Sequence, residues 1–130
     1  MATFKRFEDI EAWRKARELV KQIYMSSNEA AFSRDFGLRD QVRRAGISIM
    51  ANIAEGYERS GTGEFLQFLA IAKGSAAEVR SHLYVALDQG YLDRKTFDNL
   101  FSEVQSTARM ISKLMEYLRA SRIKGVKYKA

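Results

Sequence analysis

The chain is 130 residues long, with 22 basic and 16 acidic side chains, one histidine, no cysteine and no proline. The net charge of +6 favours acidic partners, and the absence of cysteine excludes disulfide scaffolds and thiolate metal sites. A chain of this length is expected to form one domain, and the absence of proline favours long helices.

The N-terminal segment has basic residues but lacks the apolar stretch of a signal peptide. The longest uncharged run, Ala45 to Ala54, is far shorter than the about 20 residues that a membrane-spanning helix needs. We therefore expect a cytoplasmic protein that has no membrane partner.

Apolar residues recur every three or four positions in four segments, which is typical of amphipathic helices. The predicted helices run from about Glu8 to Met25, from Leu38 to Arg59, from Thr62 to about Gln89, and from Asp93 to Leu118. Thr62 and Asp93 are the predicted N-caps, and Gly90 suits the left-handed position after the third helix. The pattern predicts one all-α domain over 1–130, an antiparallel up-down-up-down four-helix bundle with a basic, flexible tail over 120–130.

The second predicted helix is too apolar for the outer helix of a monomeric bundle, because no charge interrupts Ala45 to Ala54. We expect another subunit to cover it, so that the bundle assembles into a ring-like homo-oligomer. The alternative is a helix tilted deep into the core of its own chain. The candidate interface residues are Ile47, Met50, Ala51 and Ala54.

A polar stripe runs beside the apolar face of this helix. Its residues, together with one carboxylate of the third helix, are Gln41, Arg44, Ser48, Asn52, Glu55 and Glu78. Arg44 and Glu55 are too far apart on one helix to pair, so we expect partners on neighbouring helices, with Glu78 as the first candidate for Arg44. The stripe is either a ligand or catalytic site or a polar layer that fixes the register of the helices; we favour the layer.

Other sequence patterns that could indicate a ligand-binding or metal site are weak. The segment 56–63 superficially resembles a phosphate-binding loop, but it lacks the lysine after the second glycine and follows a helix instead of a strand. Glu78 and His82 have the wrong spacing for a bundle metal site, and no second histidine exists. We expect no enzymatic activity, no catalytic residue, no metal and no cofactor.

Basic residues concentrate on the first helix, at the start of the second helix and in the tail. The candidate nucleic-acid contacts are Arg14, Lys15, Arg17, Lys21, Arg39 and Arg43. Because no base-reading motif is present, binding would be directed mainly at phosphates and would be sensitive to salt. The alternative is a basic surface that only keeps the protein soluble.

A longer pattern, QxRRA…S…ANIAEG…GS…E, begins at Gln41 and ends at Glu78. Together with residues 7–13, it closely resembles the small four-helix-bundle proteins encoded in intervening sequences of bacterial 23S ribosomal RNA genes, and the resemblance covers nearly the whole chain. Three small departures are Ser33 near a usual proline, Met50 where proline often occurs, and Gly46 in place of alanine or serine.

The resemblance implies a homopentamer around a central channel. It also implies kinship with the accessory variability proteins of diversity-generating retroelements, which are pentameric and basic, bind nucleic acid and partner a reverse transcriptase. The pattern residues are interpreted as structural, with Gly74 allowing two helices to approach closely; they are Gln41, Arg44, Ser48, Asn52, Glu55, Gly74, Ser75 and Glu78.

Two functions follow as hypotheses. The first is a homopentameric accessory protein that binds RNA or DNA without sequence preference. The second is a pentameric scaffold for another protein, with no role in nucleic-acid binding. A continuous basic belt favours the first, whereas dispersed cations that each pair with an acid favour the second.

Overall fold

A computed structural model describes residues 4–123, with side chains described as far as Ser121. A 3-10 turn, Phe7–Asp9, precedes five helices. These are α1 (Glu11–Ser27), α2 (Ala30–Arg34), α3 (Phe36–Glu58), α4 (Thr62–Asp88) and α5 (Arg94–Ile123). The described residues contain no β-strand, which confirms the all-α class.

The four long helices contact one another in the cyclic order α1, α3, α4, α5, and α5 closes the cycle on α1. The predicted apolar stripes form the core between them. Fully buried side chains come from every long helix: Leu19, Ile49, Ile53, Phe65, Leu69, Leu83, Ile111 and Leu118. None of the described helices is both long and apolar enough to cross a bilayer.

The N-terminal region differs from the prediction of one helix from Glu8 to Met25. Ile10 takes an extended conformation (φ −77°, ψ 120°), which separates the 3-10 turn from α1. The helix then continues to Ser27, two residues beyond the predicted Met25, and the buried Ser27 hydroxyl donates to the Tyr24 carbonyl within the last turn (3.4 Å). The predicted connector contains α2, which buries Phe32 in a stack against Tyr91.

Hydrogen bonds at the helix ends show which predicted caps are correct. Oδ1 of Asp93 accepts a bond from the Thr96 amide (2.7 Å), which confirms this cap. The prediction for Thr62 is wrong: Thr62 is the first helical residue, and Gly61 holds the N-cap position without a side-chain bond. Gly90 has φ +75°, as predicted, and amide bonds from Gly90 to Leu87 and from Tyr91 to Ala86 complete a Schellman motif.

Two glycines allow helices to pack closely. A Cβ at Gly46 would lie 2.9 Å from Cδ1 of Ile23 on α1, and a Cβ at Gly56 would lie 2.7 Å from Cβ of Phe68 on α4. Gly74 has no described atom within 4 Å of such a Cβ, so the prediction that it permits close approach is wrong within the chain.

The predicted tail overlaps the end of α5. α5 continues to Ile123, and Ser121 is buried, so residues 120–123 belong to the helix. The rest of the predicted tail, 124–130, lies outside the described residues.

Candidate nucleic-acid interface

Three basic residues form a row along the exposed side of α1. Arg14, Arg17 and Lys21 are three and four positions apart, so they share one face of the helix. The opposite face is buried because small and aliphatic residues recur at the matching spacing: Ala12, Ala16, Leu19 and Ile23. Burial of that face orients the cations towards solvent.

The row borders a groove of about 590 Å³ between α1 and α3. Its lining residues are Arg14, Arg17, Glu18, Val20, Lys21 and Met50. Arg14 is held in place because its guanidinium donates to the Glu8 carbonyl (2.9 Å), and the Arg17 guanidinium lies 5.9 Å from the centre of the Trp13 ring. Glu18 is the one carboxylate in this lining. The groove therefore presents three cations with little neutralisation.

Lys15 does not belong to this row. Its Nζ lies 2.6 Å from Oε1 of Glu103 on α5, and both side chains are partly exposed. The structure therefore places this predicted nucleic-acid contact in an ion pair that joins α1 to α5.

Arg39 and Arg43 extend the basic surface along the first turns of α3. Arg39 pairs with Asp40 (3.0 Å) and donates to the Ser33 carbonyl (3.1 Å). Nε of Arg43 donates to the Ser27 hydroxyl of α1 (2.8 Å). We call the five residues that face this side the basic stripe: Arg14, Arg17, Lys21, Arg39 and Arg43.

Two exposed aromatic rings contact the arginines of α3. The Arg43 guanidinium lies 4.4 Å from the ring centre of Tyr24, and that of Arg39 lies 4.8 Å from the ring centre of Phe36. Sequence reasoning missed both rings. The spacing of three between Phe36 and Arg39 could have indicated the second contact, whereas the first joins two helices and leaves no local signal.

The predicted polar layer forms only at its centre. The hydroxyls of Ser48 and Ser75 are 2.8 Å apart, and Nδ2 of Asn52 donates to the carbonyl (2.8 Å) and hydroxyl (3.0 Å) of Ser48. Ser75 is buried, so these bonds link α3 to α4 at the edge of the core. At this point the three side chains satisfy one another's hydrogen-bonding groups.

The charged residues of the predicted polar stripe, Arg44, Glu55 and Glu78, are exposed. Glu55 pairs with Arg59 on the same helix (2.7 Å), so the prediction of a partner on another helix is wrong. Among the residues that the structure describes, no ion pair within 4.0 Å joins Arg44 to Glu78. Both instead line an open concavity of about 420 Å³, together with Gln41, Ala45, Ser48 and His82. The expected pairing fails because neither charge is taken out of water.

The candidate interface residues of α3 are not covered by their own chain. Ile47 keeps 42% of its surface exposed, Ala51 is exposed, and Met50 and Ala54 are half-buried. The structure therefore does not support the alternative of a helix tilted deep into the core of its own chain. Ile71 of α4, 52% exposed, adds a further apolar side chain to the surface.

The carboxyl groups whose pKa is shifted, Asp9 and Asp93, accept hydrogen bonds from residues close to them in sequence. The main-chain amide of Lys5 and the side chain of Arg6 hold the pKa of Asp9 below its usual value, and the Thr96 amide does the same for the pKa of Asp93. Within the described part of the chain, no group of three or more histidine, aspartate or glutamate side chains is placed to hold a metal ion. The basic stripe is therefore the candidate functional site, because its exposed cations can bind anions.

Comparisons with known proteins agree with this fold. The family model described as 23S rRNA-intervening sequence protein matches residues 8–113. A crystal structure of a protein of unknown function from the S23 ribosomal protein family of Bacteroides thetaiotaomicron superposes with a TM-score of 0.73. The two chains are 21% identical, and the match covers 80% of this chain and 97% of that one. A search of the curated proteins finds no match.

Proposed function

Because this chain belongs to the 23S rRNA-intervening sequence protein family, we propose that it is a non-enzymatic accessory protein that binds RNA or DNA without sequence preference. The observation that carries the proposal is the exposed row of Arg14, Arg17 and Lys21 along one groove. The bundle supplies a rigid support for these cations, since the opposite face of α1 is fixed in the core.

The spacing of the row suits a phosphate backbone. At about 1.5 Å per residue, the distance along α1 from Arg14 to Lys21 is about 10 Å. One strand of duplex DNA presents a phosphate about every 3.4 Å along its axis, so the row can follow about three phosphates. Contacts of this kind fix the position of a nucleic acid but do not read its sequence.

Assembly is the second part of the proposal. The four long helices run alternately up and down, and copies of the chain associate through the outer face of α3 and α4 into a pentameric ring. Support comes from the exposed, uncharged residues of that face, which include Ile47, Ala51 and Ile71. A ring would repeat the charge of +6 in every copy and strengthen attraction to a polyanion. Kinship with the accessory variability proteins of diversity-generating retroelements fits the same assembly.

A scaffold for another protein is the second candidate function. The observation in its favour is that some cations already have acidic partners, as in the pairs Lys15–Glu103 and Arg39–Asp40. In that case the exposed apolar residues of α3 and α4 would receive a protein partner, and the basic stripe would only aid solubility.

The test is the binding of a labelled RNA and a labelled DNA duplex at several salt concentrations, with protein of measured oligomeric mass. We expect the logarithm of the binding constant to fall steeply with the logarithm of salt, by about 0.9 for each phosphate neutralised on duplex DNA. Arg17→Glu combined with Lys21→Glu should abolish most of the binding.

The matched control is Lys95→Glu combined with Lys113→Glu on the exposed surface of α5, which changes the net charge by the same amount. It should weaken binding much less. Equal losses in both double variants would mean that the overall charge, and not the row on α1, attracts the nucleic acid. No binding by the unmodified protein to either polymer would overturn the proposal in favour of the scaffold.

A further inference from the structure

We infer that the α3 end of the basic stripe is a stacking platform for unpaired bases, so that the protein prefers single-stranded RNA or DNA to duplex. This inference rests on the proposed function and names the form of nucleic acid that the site takes. It is carried by Tyr24 and Phe36, two exposed aromatic rings that each lie against an arginine of α3.

The two rings are exposed although they are large and apolar. Phe36 keeps 62% of its surface in contact with solvent, and Tyr24 keeps 40%. Neither belongs to the hydrophobic core, so their burial does not hold this fold together. An exposed aromatic ring among cations is a common element of sites that bind single strands.

The arginines hold the rings in place. The Arg43 side chain is fixed by its bond to the Ser27 hydroxyl (2.8 Å), and the Arg39 side chain by its bond to the Ser33 carbonyl (3.1 Å). Each guanidinium then lies over one ring, at 4.4 Å from Tyr24 and 4.8 Å from Phe36. A ring held in this way loses little conformational freedom when a base stacks on its exposed surface.

The two rings also continue the row of cations on α1. Tyr24 follows Lys21 by three positions and lies on the same side of the helix, while Arg39 and Arg43 are four positions apart and adjacent on α3. A strand whose phosphates follow Arg14, Arg17 and Lys21 therefore reaches the two rings at its end. Glu18 is the carboxylate that lines the groove, and Asp40 at the α3 end pairs with Arg39.

This geometry favours a single strand for a physical reason. In a duplex the bases stack on one another, and their faces are not available to a protein ring. In a single strand the faces are free, and stacking of a base on an aromatic side chain tolerates any sequence. The phosphate contacts are shared by both forms, so the rings alone would produce the preference.

The experiment compares three labelled probes on the unmodified protein, whose oligomeric mass is measured first. The probes are an oligothymidylate of about 20 nucleotides, which exceeds the about 4–16 nucleotides that single-strand-binding folds occupy, an abasic oligomer with the same number of phosphates, and a duplex of equal length. We expect the oligothymidylate to bind more tightly than the abasic oligomer. Phe36→Ala should weaken its binding by about 5- to 150-fold, the usual range for one stacked base, and leave the abasic oligomer unaffected.

Phe36→Leu keeps an apolar side chain of similar size but removes the ring, so it should lose as much affinity as Phe36→Ala. Tyr24→Ala should behave likewise, whereas Tyr24→Phe, which retains a ring, should not. Tyr84→Leu, which removes a comparably exposed ring that packs against Phe97 and Phe101 of α5, is the matched control and should leave the binding of all three probes unchanged.

The outcomes distinguish failure of the proposed function from failure of the stacking platform. If none of the probes binds, the proposed function fails and this inference fails with it. If the abasic oligomer and the duplex bind as tightly as the oligothymidylate, or if Phe36→Ala changes none of the three, the stacking platform is overturned while nucleic-acid binding stands. A change in the oligomeric mass of Phe36→Ala would instead make the rings a contact between copies and would also overturn the platform.

Discussion

The hydroxyl of Tyr91, in the turn before α5, donates a hydrogen bond of 3.0 Å to Oδ2 of Asp35, whose Oδ1 accepts the amide of Leu38 at the start of α3 (3.1 Å). One carboxylate thus caps α3 and binds the connection between α4 and α5. The Tyr91 ring also stacks on Phe32 of α2 at a centroid distance of 5.4 Å. The short helix α2 is therefore held in two ways: Phe32 stacks on Tyr91, and Asp35, which directly follows α2, accepts the hydrogen bond from the same tyrosine.

Asp35→Ala should destabilise the fold, because it removes the cap of α3 and the acceptor of Tyr91 together. Loss of an N-cap alone costs about 0.5–2 kcal/mol, so we expect a decrease in the free energy of unfolding in the upper part of that range. Chemical denaturation monitored by circular dichroism measures it. Asp40→Ala, which removes an exposed carboxylate that pairs with the neighbouring Arg39, is the control. Equal losses in the two variants would show that Asp35 has no special role.

Stability should fall at alkaline pH. The hydrogen bond to Asp35 raises the pKa of Tyr91, and burial raises the pKa of Tyr57. A group with a raised folded-state pKa contributes its full stability below its unfolded value, about 10 for tyrosine, and that contribution is lost as pH rises through the folded value.

The measurement is urea unfolding of the protein and of Tyr91→Phe between pH 8 and 11, since the difference between the two cancels the titration of the lysines. The stability advantage of the unmodified protein should be constant at the lower end and shrink above pH 10. A difference that stays constant throughout the range would mean that Tyr91 does not donate to Asp35 in solution.

The core faces could be predicted from the sequence, whereas contacts between helices could not. The stripe of Val42, Ala45, Ile49 and Ile53 follows from periodicity, because a helix must bury its apolar side. The partner of Lys15 does not, since it depends on which helix lies beside α1. The pairing of Arg44 with Glu78 could not be judged from the sequence either, because the sequence does not show that this side of α3 is open to solvent.

Periodicity in the sequence reveals neither the short helix α2 nor the contacts of the aromatic rings. α2 has only five residues, too few to show a period, and it is fixed by the tertiary stack of Phe32 on Tyr91. The contact of Tyr24 with Arg43 joins residues 19 positions apart on different helices (43 − 24 = 19). Such pairs are set by packing and only the folded chain reveals them.

Gly56→Ala and Gly74→Ala should have opposite effects. The new Cβ at Gly56 would lie 2.7 Å from Cβ of Phe68, which is fixed to its backbone, so we expect an overpacking cost of about 1–3 kcal/mol. At Gly74 nothing described lies within 4 Å, and alanine should stabilise α4 by about 0.5–1 kcal/mol. Thermal and urea unfolding test both. A concentration-dependent loss of stability in Gly74→Ala would show that another copy contacts this position.

Lys15→Ala and Arg17→Ala should separate stability from binding. Lys15 joins α1 to α5 through Glu103, and a partly exposed pair of this kind contributes about 0.2–1 kcal/mol to stability. Its loss should leave the salt dependence of nucleic-acid binding unchanged. Arg17→Ala should leave stability unchanged and reduce the slope of log binding constant against log salt by about 0.9 per duplex phosphate lost. The reverse assignment would place the interface on the α5 side of α1.

Ala51→Glu should split the oligomer if the outer face of α3 is the contact between copies. Ala51 is exposed in its own chain, so the new carboxylate leaves the bundle intact and acts only on a neighbour. Light scattering should show a loss of mass at unchanged helicity. Ala120→Glu, at an exposed alanine near the end of α5, is the matched control. An unchanged mass in Ala51→Glu would move the contact to another face.

The only tryptophan in the chain, Trp13, packs edge-to-face on Phe7 at 5.1 Å and lies 5.9 Å from the guanidinium of Arg17. The fluorescence emission of Trp13 should therefore respond to two separate events. Unfolding of the first turn would expose the ring to water and shift the spectrum, while a polyanion at Arg17 would alter the charge beside the ring and change the intensity. The protein thus contains its own optical reporter, so unfolding of the first turn and ligand occupancy can be followed without attaching a dye.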